Sequence, residues 1–345
     1  MKLTVQREVP GIQIHYADDQ RCIGSNGLTL VESLDQGKTW QPIASIATDP
    51  LNRLLLQHPI YARLMRGGIL SALPLADQSG WVAVAKRKVF VICADKREPE
   101  ELFQIQHGNR PLRRGLCIHQ QSLYIGDYWS NPQREAVHIH RINLQNGKAE
   151  IFYRFEANSI RHVHAIEPDP YSSQIWISTG DLDNECMVAK LDPQSKQLTT
   201  IGNGSQKWRA VSFALRPEAV YWGMDNHLGA NEIWRYDRKS DETLALGKVV
   251  GPVYYNACLD DFVVFGAAME LGQGEQDGYA RLYAVDMQGN LQEVWKLKKD
   301  GWNSKFFGHG NYEFAEGRLG GNRFWVTTKS LQGGQVSLLF EVTER

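Results

Sequence analysis

The chain has 345 residues, with 38 Lys and Arg against 39 Asp and Glu, a formal charge of −1 at pH 7. Hydrophobic residues make up 42 % and charged ones 22 %, which excludes a disordered or collagen-like chain. The near-neutral balance speaks against nucleic acid as a partner. The lack of any apolar run of about 18 residues speaks against a membrane helix.

The opening residues, Met1 to Pro10, hold no apolar stretch of signal-peptide length. The chain as given is therefore expected in the cytoplasm, with an exported mature form as the alternative. Lys2–Val9 reads as a strand that belongs to no complete unit of the repeat that follows.

That repeat is a turn signature: an apolar residue, then Asp or Asn, a short polar turn, then an apolar strand. It occurs at Asp35, Asp95, Asn143, Asp192, Asp237 and Asp286, about 45 to 60 residues apart. Before the turns lie short runs rich in β-branched and aromatic residues, such as Ser122–Gly126, Gln174–Ser178, Ala219–Trp222, Phe262–Phe265 and Arg323–Thr327. Four short strands per period of this length is the pattern of a β-propeller blade. A seventh turn falls near residue 340, where the chain runs out before an outermost strand. The expectation is an all-β, single-domain, seven-bladed propeller over 1–345, its ring closed by the N-terminal strand in the last blade. A helical insertion is expected at about 49–68, where Leu51, Leu54, Leu55 and His58 fall at helical spacing after Asp49-Pro50.

Five widely spaced cysteines (Cys22, Cys93, Cys117, Cys186 and Cys258) form no Cys-x-x-Cys and are expected as mostly buried free thiols.

Ser33-Leu34-Asp35-Gln36-Gly37-Lys38-Thr39-Trp40 matches the Asp-box, Ser-x-Asp-x-Gly-x-Thr-Trp. The chain resembles the sialidase-like, Asp-box (BNR repeat) β-propellers on this one full box and on the blade pattern. The resemblance implies that the box occupies the turn between the third and fourth strands of a blade. It also implies a structural role for the box, away from the active face, and leaves the reaction open among hydrolase, lyase-related, lectin-like and scaffold proteins.

In a propeller the loops leading into each innermost strand share one face with those joining the second and third strands. The first set brings Arg113 and Arg114, Arg161 and His162, Lys207 and Arg209, Tyr254 and Tyr255, and His309 with Asn311. The second brings Asp127 with Tyr128 and Trp129, Asp181 and Asp183, Asp225 with Asn226 and His227, and Glu270. Three consecutive blades thereby offer a guanidinium and a carboxylate: Arg114 with Asp127, Arg161 with Asp181, Arg209 with Asp225. A guanidinium's donor fork suits carboxylate, sulfate or phosphate, and the arrangement is similar in kind to the arginine triad of sialidases. Each pair equally serves as a tie between strands.

His162 and His164 lie on one side of a strand by alternation, placed for proton transfer or metal ligation. His138 and His140 share that spacing and are read as structural. Asp181, Asp183 and Glu185 offer oxygens to a calcium ion without the glycine of an EF-hand loop. No cofactor is required by any motif, with a divalent cation as the open alternative.

Two functions follow. The first is a carbohydrate-active propeller acting on an acidic oligosaccharide, as glycoside hydrolase or uronate lyase. Its catalytic candidates are His162, His309, Tyr255 (with Glu270) and Asp181. Its substrate-binding candidates are Arg114, Arg161, Arg209, Asp127, Asp225 and Trp129. The second is a non-catalytic scaffold whose loop face meets a protein partner. A six-bladed, metal-dependent lactonase is disfavoured by the seven-unit count.

Overall fold

The computed structural model describes residues 1–49, 59–65, 67–108, 111–270 and 277–344. Seven four-stranded antiparallel sheets form the blades of a β-propeller. Blade 1 is β2 (Gln13–Ala17), β3 (Cys22–Asn26), β4 (Thr29–Ser33) and β5 (Gln41–Ser45). Blade 2 is β6 (Ser71–Pro74), β7 (Gly80–Ala85), β8 (Lys88–Cys93) and β9 (Pro99–Gln104). Blade 3 is β10 (Leu116–His119), β11 (Ser122–Gly126), β12 (Val137–Asn143) and β13 (Ala149–Phe155). Blade 4 is β14 (Val163–Pro168), β15 (Ile175–Thr179), β16 (Met187–Leu191) and β17 (Leu198–Asn203). Blade 5 is β18 (Ala214–Leu215), β19 (Ala219–Gly223), β20 (Asn231–Asp237) and β21 (Thr243–Val249). Blade 6 is β22 (Val253–Cys258), β23 (Phe262–Ala267), β24 (Tyr279–Asp286) and β25 (Leu291–Lys298). Blade 7 is β26 (Asn311–Phe314), β27 (Arg323–Lys329) and β28 (Val336–Thr343), and its outer strand is the N-terminal β1 (Lys2–Pro10). β1 runs antiparallel to β28 from Lys2 opposite Thr343 to Pro10 opposite Val336, so the two ends of the chain close the ring.

The hydrophobic core is divided among the blade interfaces. Seven buried clusters occur, each formed mainly by two neighbouring blades. Between blades 4 and 5, for example, Trp176 and Val188 pack against Phe213, Trp222 and Tyr236. Alternation explains this: a blade buries both faces of its inner strands, so runs such as Ala219–Gly223 are apolar on both sides. Close approach of blades requires glycine at the end of the second strand. A Cβ on Gly126 would lie 2.6 Å from Val163, one on Gly223 2.4 Å from Val253, and one on Gly266 2.8 Å from Phe314.

The recurrent turns are side-chain-capped. Asp192 Oδ1 accepts from the backbone N–H of Gln194 and Ser195, Asp237 Oδ1 from Lys239 and Ser240, and Asp286 Oδ1 from Gln288 and Asn290. The Ser33–Thr39 turn joins β4 to β5, the third and fourth strands. Asp35 Oδ1 accepts from Lys38 and Thr39 N–H, Ser33 Oγ accepts from Gly37 N–H, and Gly37 takes φ +83°.

Of the expected helical insertion, 50–58 and 66 lie outside the described residues. Helix α1 (Pro59–Leu64) lies between them. Its Arg63 reaches across to the loop before blade 7, where Nη1 binds Asp300 at 2.5 Å and Nε donates to the Phe307 carbonyl of the short helix α2 (Ser304–Phe307). All five cysteines are free. No described helix is long and apolar enough to cross a membrane.

Candidate functional site

The innermost strands β2, β14 and β22 each carry a one-residue bulge, at His15, His164 and Tyr254. A bulge re-aims a side chain that regular alternation would place elsewhere. In blade 4 the bulge falls at His164, and both His164 and His162, just before β14, face Asp181 on the loop after β15. His162 Nε2 and His164 Nε2 are 2.9 Å apart, and they lie 3.4 and 3.3 Å from Asp181 Oδ1.

The protons in this group follow from their partners. His162 Nδ1 faces the carbonyl of Trp129 at 2.8 Å, which accepts only, so Nδ1 carries a proton. His164 is buried, and burial lowers its pKa to about 4, so the ring is neutral at pH 7. Its Nδ1 is buried with no partner among the described residues, which leaves its proton on Nε2, donated toward His162 Nε2 and Asp181. Burial raises the Asp181 carboxyl, but the neighbouring His162 and His164 overcome this and hold it below the usual carboxylate range.

Two guanidiniums share Asp181. Arg161 Nη1 binds Oδ2 at 2.7 Å while its Nε donates to the Ser130 carbonyl. Arg161 is partly exposed at the rim, and its Nη2 has no hydrogen-bond partner among the described residues. Arg209 is buried, with Nη2 3.0 Å from Asp181 Oδ1 and 3.1 Å from Asp225 Oδ2, and Nη1 3.2 Å from His227 Nδ1. Burial pushes the Asp225 carboxyl up to about 7 against the pull of Arg209, and the nearby charges of Glu270 and Asp181 add to the rise. Such a carboxyl is poised to hold or release a proton near neutrality.

Across the same face Tyr254 donates to Glu270 Oε2 at 2.5 Å, and His309 Nε2 is 3.5 Å from Glu270 Oε1. Burial, with the charges of Asp225 and Glu270, holds the Tyr254 hydroxyl well above its usual pKa, so it stays protonated. Burial does the same for Tyr128. The sequence pairs Glu270 with Tyr255; the structure seats the Tyr254 hydroxyl on it. The bulge at Tyr254 turns Tyr255 into the core between blades 6 and 7.

Arg114, expected to pair with Asp127, does not do so. Its guanidinium crosses the channel to Glu316 of the blade 7 loop, with Glu167 of β14 at 3.6 Å and the Asn256 carbonyl of β22 at 3.4 Å. Burial and the neighbouring Glu316 push Glu167 up to about 7, despite Arg114. Arg113, also buried, donates to the Ile14 and Leu70 carbonyls and lies 3.6 Å from Glu313. These two arginines tie blades across the channel beneath the loop face. Asp127 instead takes His138 Nδ1 and His140 Nε2, both at 3.1 Å. Lys207 and Trp208 are packing groups: Trp208 stacks on Trp222, and Lys207 Nζ lies over the Trp208 and Trp234 rings. Trp129 is half-buried, with His107 stacked on its ring.

The loop face therefore assembles Arg161, His162, Asp181, Arg209 and Asp225 in contact, with Tyr254, Glu270 and His309 beyond them. His107, Glu167 and Glu316 escaped the sequence candidates. The order of the loops placed Tyr128 on the right face, but no spacing rule joins Glu316 to Arg114, because only the closed ring brings blades 3 and 7 together.

His162, His164 and Asp181 form a two-nitrogen, one-oxygen group within 4.8 Å. They do not fit a resident cation as arranged. Asp181 already accepts from two guanidiniums, and Arg209 holds the very oxygen that faces the imidazoles.

No protein-family profile matches the chain, and no curated protein sequence does. Its fold is shared with solved propellers. An oligogalacturonate lyase from Vibrio parahaemolyticus aligns over 99 % of this chain and 94 % of its own, at 9 % identity and TM-score 0.59. An oligogalacturonate lyase in complex with manganese aligns over 100 % and 97 %, at 10 % identity and TM-score 0.58. A chain of a mitotic checkpoint complex aligns over 99 % and 92 %, at 11 % identity and TM-score 0.58. The chain is thus a seven-bladed β-propeller. At these identities the likeness is one of fold, and the sialidase-like superfamily is not among what it establishes.

Proposed function

We propose that the loop face binds an acidic oligosaccharide and cleaves a uronate glycosidic bond by β-elimination. The observation that carries this reading is the half-exposed Arg161 guanidinium, with an open Nη2, on the same face as the protonated Tyr254 hydroxyl and its Glu270–His309 partners. Uronate lyases among the fold neighbours support the substrate class.

Elimination needs a cation on the sugar carboxylate, a base for the C5 proton and an acid for the leaving oxygen. Arg161 is the cation, Glu270 with His309 the base, and Tyr254 the acid. The C5–H bond breaks, its electron pair forms the C4–C5 double bond, and the C4–O bond breaks. The departing oxygen takes the Tyr254 proton, so neither water nor an oxidant enters the balance. Arg209, Asp225, His162 and His164 lie beneath as positioning residues.

The test is incubation with oligogalacturonate and other uronate oligomers, followed by the ultraviolet absorbance of the unsaturated product. Wild type should form product, and Tyr254→Phe should slow turnover by roughly 100-fold or more. A folded wild type that forms no product from any uronate, and gains no melting temperature from them, overturns the reading.

One observation favours the scaffold alternative. Leu182 and Leu228, on the adjacent loops of blades 4 and 5, are 52 % and 61 % exposed. Apolar tips on two neighbouring loops suit a protein partner. Under that reading, Leu182→Asp and Leu228→Asp would abolish capture of the partner and leave sugar binding untouched.

A further inference from the structure

We propose that His107, His138 and Asp127, at the loop end of blade 3, form a binding site for one divalent transition-metal ion of the zinc class. The ligating atoms of the three lie within 4.8 Å of one another. This inference is independent of the elimination chemistry.

Asp127 is 3 % exposed. A buried carboxylate is costly unless a positive charge compensates it. Among the described residues the groups within ion-pair distance of Asp127 are His138 and His140, and no Lys or Arg joins them. Asp181 differs in this respect, since two guanidiniums neutralise it. Among the described residues Asp127 thus lacks the fixed positive charge that Asp181 has.

The surroundings are those of a built ligand set. His140 Nε2 holds Asp127 Oδ1 at 3.1 Å, and the His138 backbone N–H holds Oδ2 at 3.0 Å, which fixes the carboxylate from behind. The His138 ring presents Nδ1 to the same carboxylate. His107 arrives from the loop after β9, in the neighbouring blade. Its described interactions are ring contacts alone, with Trp129 at 4.8 Å and His138 at 6.5 Å, so its nitrogens are available. Its position depends on Gly108, at φ +70°, where a Cβ would lie 2.2 Å from the Tyr128 carbonyl. Two imidazoles and one carboxylate match borderline ions rather than magnesium or calcium. Half-buried His107 and His138 leave an approach from solvent. Trp129 connects this group to the loop face: its ring stacks on His107, while its carbonyl accepts from His162. A bound ion would brace that loop.

Cobalt(II), whose visible absorption reports nitrogen and oxygen ligation, is titrated into the full chain. Wild type should bind one equivalent with visible bands. His107→Ala, which removes a half-exposed ring and leaves no buried group unpaired, should weaken binding by roughly tenfold or more. His164→Gln should bind as wild type does. Saturating zinc should raise the melting temperature of wild type and not of His107→Ala. Absence of cobalt bands, equal affinity in wild type and His107→Ala, or loss in His164→Gln with retention in His107→Ala would each overturn the proposal. The His107→Ala comparison decides the question even where His164→Gln fails to fold.

Discussion

The carbonyl of Trp129 accepts a hydrogen bond from His162 Nδ1 at 2.8 Å, a contact between the loops of blades 3 and 4. That contact sets which nitrogen of His162 is bare, and through it the direction of the whole His162–His164–Asp181 chain. Nitrogen-15 spectra of the imidazoles should therefore show His162 protonated on Nδ1 and His164 on Nε2 at neutral pH. The reverse pair of tautomers would contradict the arrangement.

Arg209 is buried between Asp181 and Asp225. Replacing it with methionine removes the cation and leaves the carboxylates facing each other. The expected loss is about 3–5 kcal/mol of stability, read by urea unfolding. Asp225→Asn in the same chain should recover part of it. Equal stability of wild type and Arg209→Met would show that Asp225 stays fully protonated and needs no partner.

Stability should depend on pH with opposing contributions. Asp225 and Glu167 are raised to about 7, so the folded chain keeps protons that the unfolded chain has lost. Their stabilisation is complete below the unfolded carboxylate range and is lost as pH rises toward 7. His164 is lowered to about 4, and burial also holds His15 well below the usual value. Their contribution is present above about pH 6.5 and is lost as pH falls. Between pH 4.5 and 7, roughly, Asp225→Asn should make stability rise more with pH than it does in wild type. His164→Gln should make it fall more. Parallel curves for the three proteins would count against both shifts.

Gly223 adjoins Val253 of the next blade, where a Cβ would sit at 2.4 Å. Gly223→Ala should cost about 1–3 kcal/mol through overpacking. Gly301, where a Cβ meets nothing within 4 Å, provides the control, and Gly301→Ala should be close to neutral in the same unfolding assay.

Much of the fold is written along the chain. The capped turns recur because each blade must reverse between its third and fourth strands, and Asp or Asn caps such a turn locally. Lys2–Val9 belongs to no complete unit by the same count, and its place against β28 follows from the need to pair both edges. Site residues are legible where chemistry is local to a blade. Arg161 with Asp181, and Arg209 with Asp225, lie on the two loops of one blade, whose face the strand order fixes.

Tertiary structure alone decided the remainder. The sequence by itself determined the repeat, the strand pattern and the face on which loops gather, because alternation and turn chemistry act over a few residues. It did not determine that Arg114 spans the channel to Glu316, or that Tyr254 rather than Tyr255 faces Glu270. Nor did it place His107 beside Asp127 and His138. The first depends on closure of the ring. The second depends on a single-residue bulge, which shifts alternation by one position and exchanges the inward and outward side chains. The third depends on how closely two blades pack, at a glycine whose missing Cβ lets one loop rest on the carbonyl of another.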